Sequence, residues 1–166
     1  MRRLAPFALL AALGSVSLTG CATTPGMTET PRVAPAFIAM AASTDLFEIE
    51  SSRLALQRSR DPMNRMHAEL MIRDHTNTSA QLRAAAASAG FGVPTQMRPM
   101  HRDMLDALAR SATFDATYRA QQVTSHRQAL ALMERYARRG DVPQLRGVAA
   151  ATAPVVRGHL DHIVRM

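Results

Sequence analysis

The sequence predicts an all-α protein: a four-helix bundle in which one long connection carries a short extra helix. Three observations predict it. Hydrophobic residues make up 47% of the chain but aromatic residues only 4%, with no Trp. Much of the apolar content is Ala, joined by Leu, Met and Arg, a helix-forming mixture with few β-branched runs. Apolar residues recur at steps of three and four over four long segments, and Pro, Gly and Asp punctuate the chain between them.

The first long segment spans about residues 35–60. It ends at Asp61-Pro62, which suits a helix start with Asp as N-cap and Pro in the first turn. The second runs over 62–89 and stops at Gly90-Phe91-Gly92-Val93-Pro94. A short helix is expected over 98–110. The third long segment covers 114–139, with Arg138 and Arg139 in its last turn, where positive charge complements the helix dipole, and Gly140 after it. Asp141, with Pro143 just inside, opens the fourth, which runs to the C-terminus and contains Pro154, a site for a kink. Two tight turns and one long crossing give the bundle plan. No strand pattern competes with it, and no internal repeat is visible.

Residues 1–21, MRRLAPFALLAALGSVSLTGC, place two Arg before an apolar stretch that closes on small residues, the layout of a secretory signal. The apolar stretch is shorter than the roughly 20 residues a spanning helix needs. LTGC at 18–21 resembles the bacterial lipobox, and the one Cys of the chain stands at its required place. The resemblance implies cleavage before Cys21 and lipidation of that residue. Ala22, in place of Asp, implies the outer membrane of a Gram-negative cell, with the domain facing the periplasm. Residues 22–34, rich in Pro, Thr and Gly, read as a flexible tether. Fully extended it would reach about 40 Å. Residues 35–166 form the folded domain.

The formal net charge is +7, and all 20 basic residues are Arg. Such a surface can grip phosphate or carboxylate groups bidentately, so anionic lipid or lipopolysaccharide is the expected polyanion. Export removes nucleic acid from consideration. The chain has no nucleophile paired with a base, no phosphate loop and no dinucleotide turn, and a non-enzymatic role is expected.

Each inward stripe carries one polar, titratable residue. In the first segment the stripe is Phe37, Ala41, Thr44, Glu48, Ser52 and Ala55. In the second it is Ala68, Met71, Ile72, His75, Ser79, Leu82 and Ala86. In the third, Val123, His126, Leu130, Met133 and Ala137 line up. In the fourth, the line is Leu145, Val148, Thr152, Val155, His159 and Ile163. Glu48, His75 and His126 each lie about 13–14 residues from their turn, and His159 about 18 from its own, an offset near 6 Å. Four groups at similar height fit a shared metal site or an unmetallated buried network. Scattered histidines satisfied by a Ser, a Gln or a carbonyl are the third alternative.

AASTDLFEIESSRLAL (41–56), MIRDHTNTSAQL (71–82), FDATYRAQQVTSHRQALALMERYAR (114–138) and LRGVAAATAPVVRGHLDHI (145–163) resemble the domain-of-unknown-function family 4142. The pieces cover nearly all of 36–163 in family order. The resemblance implies a ferritin-like fold and an outer-membrane protein of unestablished activity. It also places Glu48, His75, His126 and His159 at the family's recurrent polar positions. A di-iron centre is not expected. That chemistry needs Glu-x-x-His on two helices, and no Glu in this chain has His three residues on. Three His with one Glu suit a single ion such as Zn, Fe, Mn or Cu.

Two smaller motifs stand out. MNRMHAELM (63–71) and MRPMHRDM (97–104) both hold Met-x-x-Met-His, a soft-ligand pattern that suits Cu(I), but the expected reading is methionine filling gaps in a helical core. HLDH (159–162) sets His159 and His162 one turn apart, within reach of one ion, although His162 reads more simply as a solvated residue. Asp74, beside His75, is expected to point away from the inward face into solvent.

Overall fold

A computed structural model describes residues 34–166. The leader, the lipobox cysteine Cys21 and the tether up to residue 33 lie outside the described residues. Five helices occur in order: α1 (Ala34–Arg58), α2 (Pro62–Ser88), α3 (Pro99–Arg110), α4 (Phe114–Arg139) and α5 (Pro143–Val164). No strand occurs among the described residues. This is the expected bundle, with α3 as the short helix of the long connection. Helix α1 starts one residue earlier than expected, at Ala34, and none of the five is long and apolar enough to cross a membrane.

The turns explain the boundaries. The side chain of Asp61 accepts a hydrogen bond from the Met63 amide at 2.9 Å, while Pro62 occupies the first helical position. Helix α2 ends ahead of Gly90, whose φ of +79° is a conformation that L side chains rarely adopt. Helix α5 departs from expectation at its start. Val142, not Asp141, is its N-cap and makes no side-chain cap bond. Asp141 instead accepts from the Tyr136 hydroxyl at 2.8 Å, tying the turn back onto α4. Helix α5 continues through Pro154 to Val164, and Pro154 is exposed on its outer side.

Side-chain contacts give the helix directions. Asp45 meets His75 and Ser79, so α1 and α2 form an antiparallel hairpin. Ser52 meets Tyr118 and Phe37 stacks on Tyr136, so α4 runs antiparallel to α1. His67 meets His162 and His75 lies by His159, so α5 runs antiparallel to α2. Helix α3 climbs alongside α1, with His101 at Ser43 and Leu108 near Arg58. The Arg58 guanidinium bonds the carbonyls of Leu108, Ala109 and Ser111, capping the end of α3, and lies 4.6 Å over the Phe114 ring. The two tight turns therefore sit at opposite ends of the bundle.

The core is layered along the axis. Phe37, Ile38, Ala41, Leu82, Met133, Tyr136, Leu145 and Ala149 pack at the α4–α5 turn end. Ala55, Ala68, Leu108, Phe114 and Tyr118 pack toward the α1–α2 turn. Full burial of each large side chain contributes about 1.5–3 kcal/mol. Between the clusters, every long helix turns a polar residue inward. The stripe in α5 differs by one position from that expected: Val156 is buried, while Val155 is exposed and Val148 only half-buried.

A candidate metal centre between two apolar layers

Glu48, His75, His126 and His159 are all buried, at 0, 2, 1 and 5% exposure. Polar groups so placed are costly unless each finds a partner. The partners of the three imidazoles are individually defined. His75 Nδ1 lies 2.8 Å from Asp45 Oδ1. His126 Nδ1 lies 2.8 Å from the Gln122 carbonyl, and His159 Nε2 lies 2.9 Å from Asp74 Oδ2. Carboxylates and carbonyls only accept, so each of these ring nitrogens is the N–H donor. The other nitrogen of each ring, His75 Nε2, His126 Nε2 and His159 Nδ1, is buried without a hydrogen-bond partner.

These three imidazoles converge. Each offers one ligand atom, and the three atoms lie within 4.8 Å of one another. Ring centroids are 5.5–5.7 Å apart in all three pairings. The 6 Å offset of His159 read from the sequence is absorbed by side-chain direction. Side chains lean toward the N-terminus of their own helix. His126 thus leans away from the α4–α5 turn and His159 toward it, and the two meet.

Glu48 sits beside this cluster and not in it. Its Oε1 is 3.7 Å from His126 Nδ1, on the side of the ring held by the Gln122 carbonyl. Gln122 Nε2 donates to Glu48 Oε2 at 2.7 Å, while Oε1 has no hydrogen-bond partner. Burial pushes the Glu48 carboxyl up, but the charges of His126 and His75 and the hydrogen bond from Gln122 help outweigh it and leave the group below its ordinary value. Burial lowers His126, and it holds His159 down at about 4 despite the Asp74 bond. Burial also works against charge on His75, yet the Asp45 hydrogen bond and the carboxylates of Asp45, Glu48 and Asp74 raise it above its ordinary value.

The carboxylates that orient the ring of His75 and that of His159 escaped the sequence stripes. Asp45 is nearly fully buried and also accepts from Thr78 Oγ1 at 2.9 Å and Ser79 Oγ at 3.1 Å. Its signal was available: Asp45 lies four residues after Ala41 and three before Glu48, on the inward face of α1. Asp74 corrects the expectation of a solvated side chain. It is partly exposed and pairs with Arg73, but it also bridges from α2 to His159 of α5. It occupies the seam between two helices, which a single-helix projection does not resolve.

His67 was also missed as part of this layer. It is fully buried, 6.2 Å in ring centroid from His126, with Nε2 3.1 Å from Gln122 Oε1 and Nδ1 3.1 Å from His162 Nδ1. Burial is the main reason it is held at about 4. His162, expected in solvent, is half-buried against it. The Met-x-x-Met-His motifs split inside and out. His67 and His101 point inward, while Met63, Met66 and Met100 are exposed at 44, 50 and 39%, so these methionines do not fill the core.

Comparison with solved structures supports the fold. The Cu(II)-bound form of CopM is 21% identical, with a TM-score of 0.66 over 78% of this chain and 91% of that one. The Cu(I)-bound form is 18% identical at 0.65, and the Ag-bound form 19% at 0.64, with the same coverage. No relative is found among curated proteins. The model of a family described as a domain of unknown function, DUF4142, matches residues 19–166, and the chain belongs to that family.

Proposed function

We propose that this protein binds a single transition-metal ion through His75, His126 and His159, and that it does so in the cell envelope, tethered by lipidated Cys21. One observation carries the metal reading: three partnerless ring nitrogens converge within 4.8 Å while the opposite nitrogen of each ring is fixed as a donor. A carboxylate or carbonyl behind each ligand histidine is the usual support of such sites. Metal–nitrogen bonds of 2.0–2.1 Å put nitrogens about 3.3 Å apart in a tetrahedral shell, so closure needs small ring movements. Glu48 acts from outside the ligand set, its charge offsetting that of the bound ion across His126. The neighbours bound to Cu(II), Cu(I) and Ag make copper the first candidate. Zinc fits the same three imidazoles with a water in fourth place. The envelope location rests on the leader and lipobox motifs at residues 1–21.

A second reading is a metal-free network in a structural or interaction module of the envelope. The raised value of His75 beside Asp45 favours it, since a buried imidazolium–carboxylate pair needs no ion. Elemental analysis separates the two. Residues 22–166 are purified without a histidine tag, dialysed against copper, zinc, iron and manganese in turn, and compared with His75→Ala. A near-stoichiometric ion that the variant loses supports the metal site. No retained ion with any of the four leaves the network.

A further inference from the structure

A second pair of imidazoles lies beyond the triad toward the α1–α2 turn, and its protonation follows from a chain of fixed donors. The Glu48 carboxylate can only accept, so it takes a hydrogen from Gln122 Nε2 at 2.7 Å. That sets the Gln122 amide with Oε1 facing His67, 3.1 Å from its Nε2. His67 must donate there, which leaves its Nδ1 as the lone-pair nitrogen. Nδ1 is directed at His162 Nδ1, 3.1 Å away. In this state His162 supplies the proton between them. The buried polar layer thus presents one prepared nitrogen toward a half-buried ring on the last turn of α5.

We propose that His67 Nδ1 and His162 Nδ1 form a second metal site, separate from the triad, that takes one soft monovalent cation such as Cu(I) or Ag(I) in two-coordinate geometry. The ion takes the place of the shared proton: His162 releases its Nδ1 proton to solvent, takes one from solvent at Nε2, and so turns the Nδ1 lone pair to the ion. A linear arrangement needs the nitrogens about 4 Å apart, so one ring must retreat by about 1 Å. His67 is locked by Gln122, and the movement falls to His162, half-buried in the last turn of α5. Ions that demand four ligands, zinc above all, find only two here and are excluded. The pair shares no ligand with the triad, so it holds or fails independently of the function proposed above.

The test uses the full chain carrying Cys21→Ser, so that no thiol competes for the ion. Silver(I) is added while the histidine ring nitrogens are followed by long-range proton–nitrogen NMR. The expected result is that His67 Nδ1 and His162 Nδ1 shift together, and that zinc leaves both unmoved. His162→Gln, at a half-buried position in a terminal turn, should keep the fold and weaken silver binding at His67 by at least about tenfold, equivalent to about 1.4 kcal/mol. The proposal is overturned if silver leaves the two Nδ1 signals in place, or if His162→Gln binds silver at His67 unchanged. Signals of His75, His126 and His159 report on the triad separately in the same spectra.

Discussion

Asp45 Oδ1 lies 2.8 Å from His75 Nδ1, and this contact across the α1–α2 hairpin fixes which nitrogen of His75 faces the other two imidazoles. Asp45 is itself held by Thr78 and Ser79, so the carboxylate cannot turn away. Asp45→Asn keeps the shape but removes the charge and gives Thr78 or Ser79 a donor to face. Metal affinity should fall about 10–100-fold. Stability of the metal-free protein should fall by about 3 kcal/mol, the scale for breaking a buried ion pair. Isothermal titration and urea unfolding read the two effects, and unchanged affinity would separate Asp45 from the site.

Acid should unfold the metal-free protein early. His67 and His159 titrate at about 4 in the fold, chiefly because burial disfavours their charge, against about 6.5 in the unfolded chain. Between those values the unfolded state binds more protons, so stability falls as pH drops from about 6.5 toward 4. His75 acts in the opposite sense. Its raised value gives a contribution that is full below about 6.5 and fades as pH rises through the folded value. Below pH 6.5 the His75 contribution is already complete, so His67 and His159 set the trend and Tm should decline steadily from pH 6.5 downward. A Tm that stays level to pH 4.5 would contradict the assignment.

Metal should protect the fold and should itself be sensitive to acid. An ion present at 100 times its dissociation constant adds about 2.7 kcal/mol. For a domain of this size that raises Tm by roughly 10 °C. An imidazole binds the ion only in its neutral form, so protons compete with the metal and protection should weaken on acidification. Thermal melts with and without the ion at two pH values measure both effects, with His126→Ala as the variant that shows no protection.

The first turn offers a test remote from the site. Asp61 caps α2 through Met63 and pairs with Arg119 of α4 at 3.0 Å. Asp61→Ala should cost about 1 kcal/mol, nearly all of it the cap, because the Arg119 pair is partly exposed. Metal binding should not change. Chemical denaturation against a parallel metal titration checks this.

Gly140 stands where a Cβ would collide with the Tyr136 ring, which stacks on Phe37 at 3.9 Å. The backbone there has an ordinary φ of −62°, so the constraint is space and not conformation. Gly140→Ala should displace the ring and destabilise by about 1–3 kcal/mol. Near-ultraviolet circular dichroism of the tyrosine and the unfolding midpoint should change together.

Helix number, helix limits within a few residues and the four buried polar positions could be read from the sequence. They depend on local rules: Pro62 after Asp61, Gly90 after the second segment, and one apolar stripe per helix with a single polar interruption. Those rules act within one helix, and so they cannot say what faces what. That the two tight turns lie at opposite ends became known only from packing. The heights still agree because His75 and His126 each sit near the middle of a helix of similar length. Asp45, Asp74, Gln122 and His67 gain their roles from residues 30, 85, 74 and 95 positions away in the chain. Which nitrogen of each imidazole is free depends on those distant acceptors. The sequence by itself determined that histidines would be buried at mid-bundle; tertiary structure decided their protonation, their grouping into a triad and a pair, and the place of Glu48 behind His126.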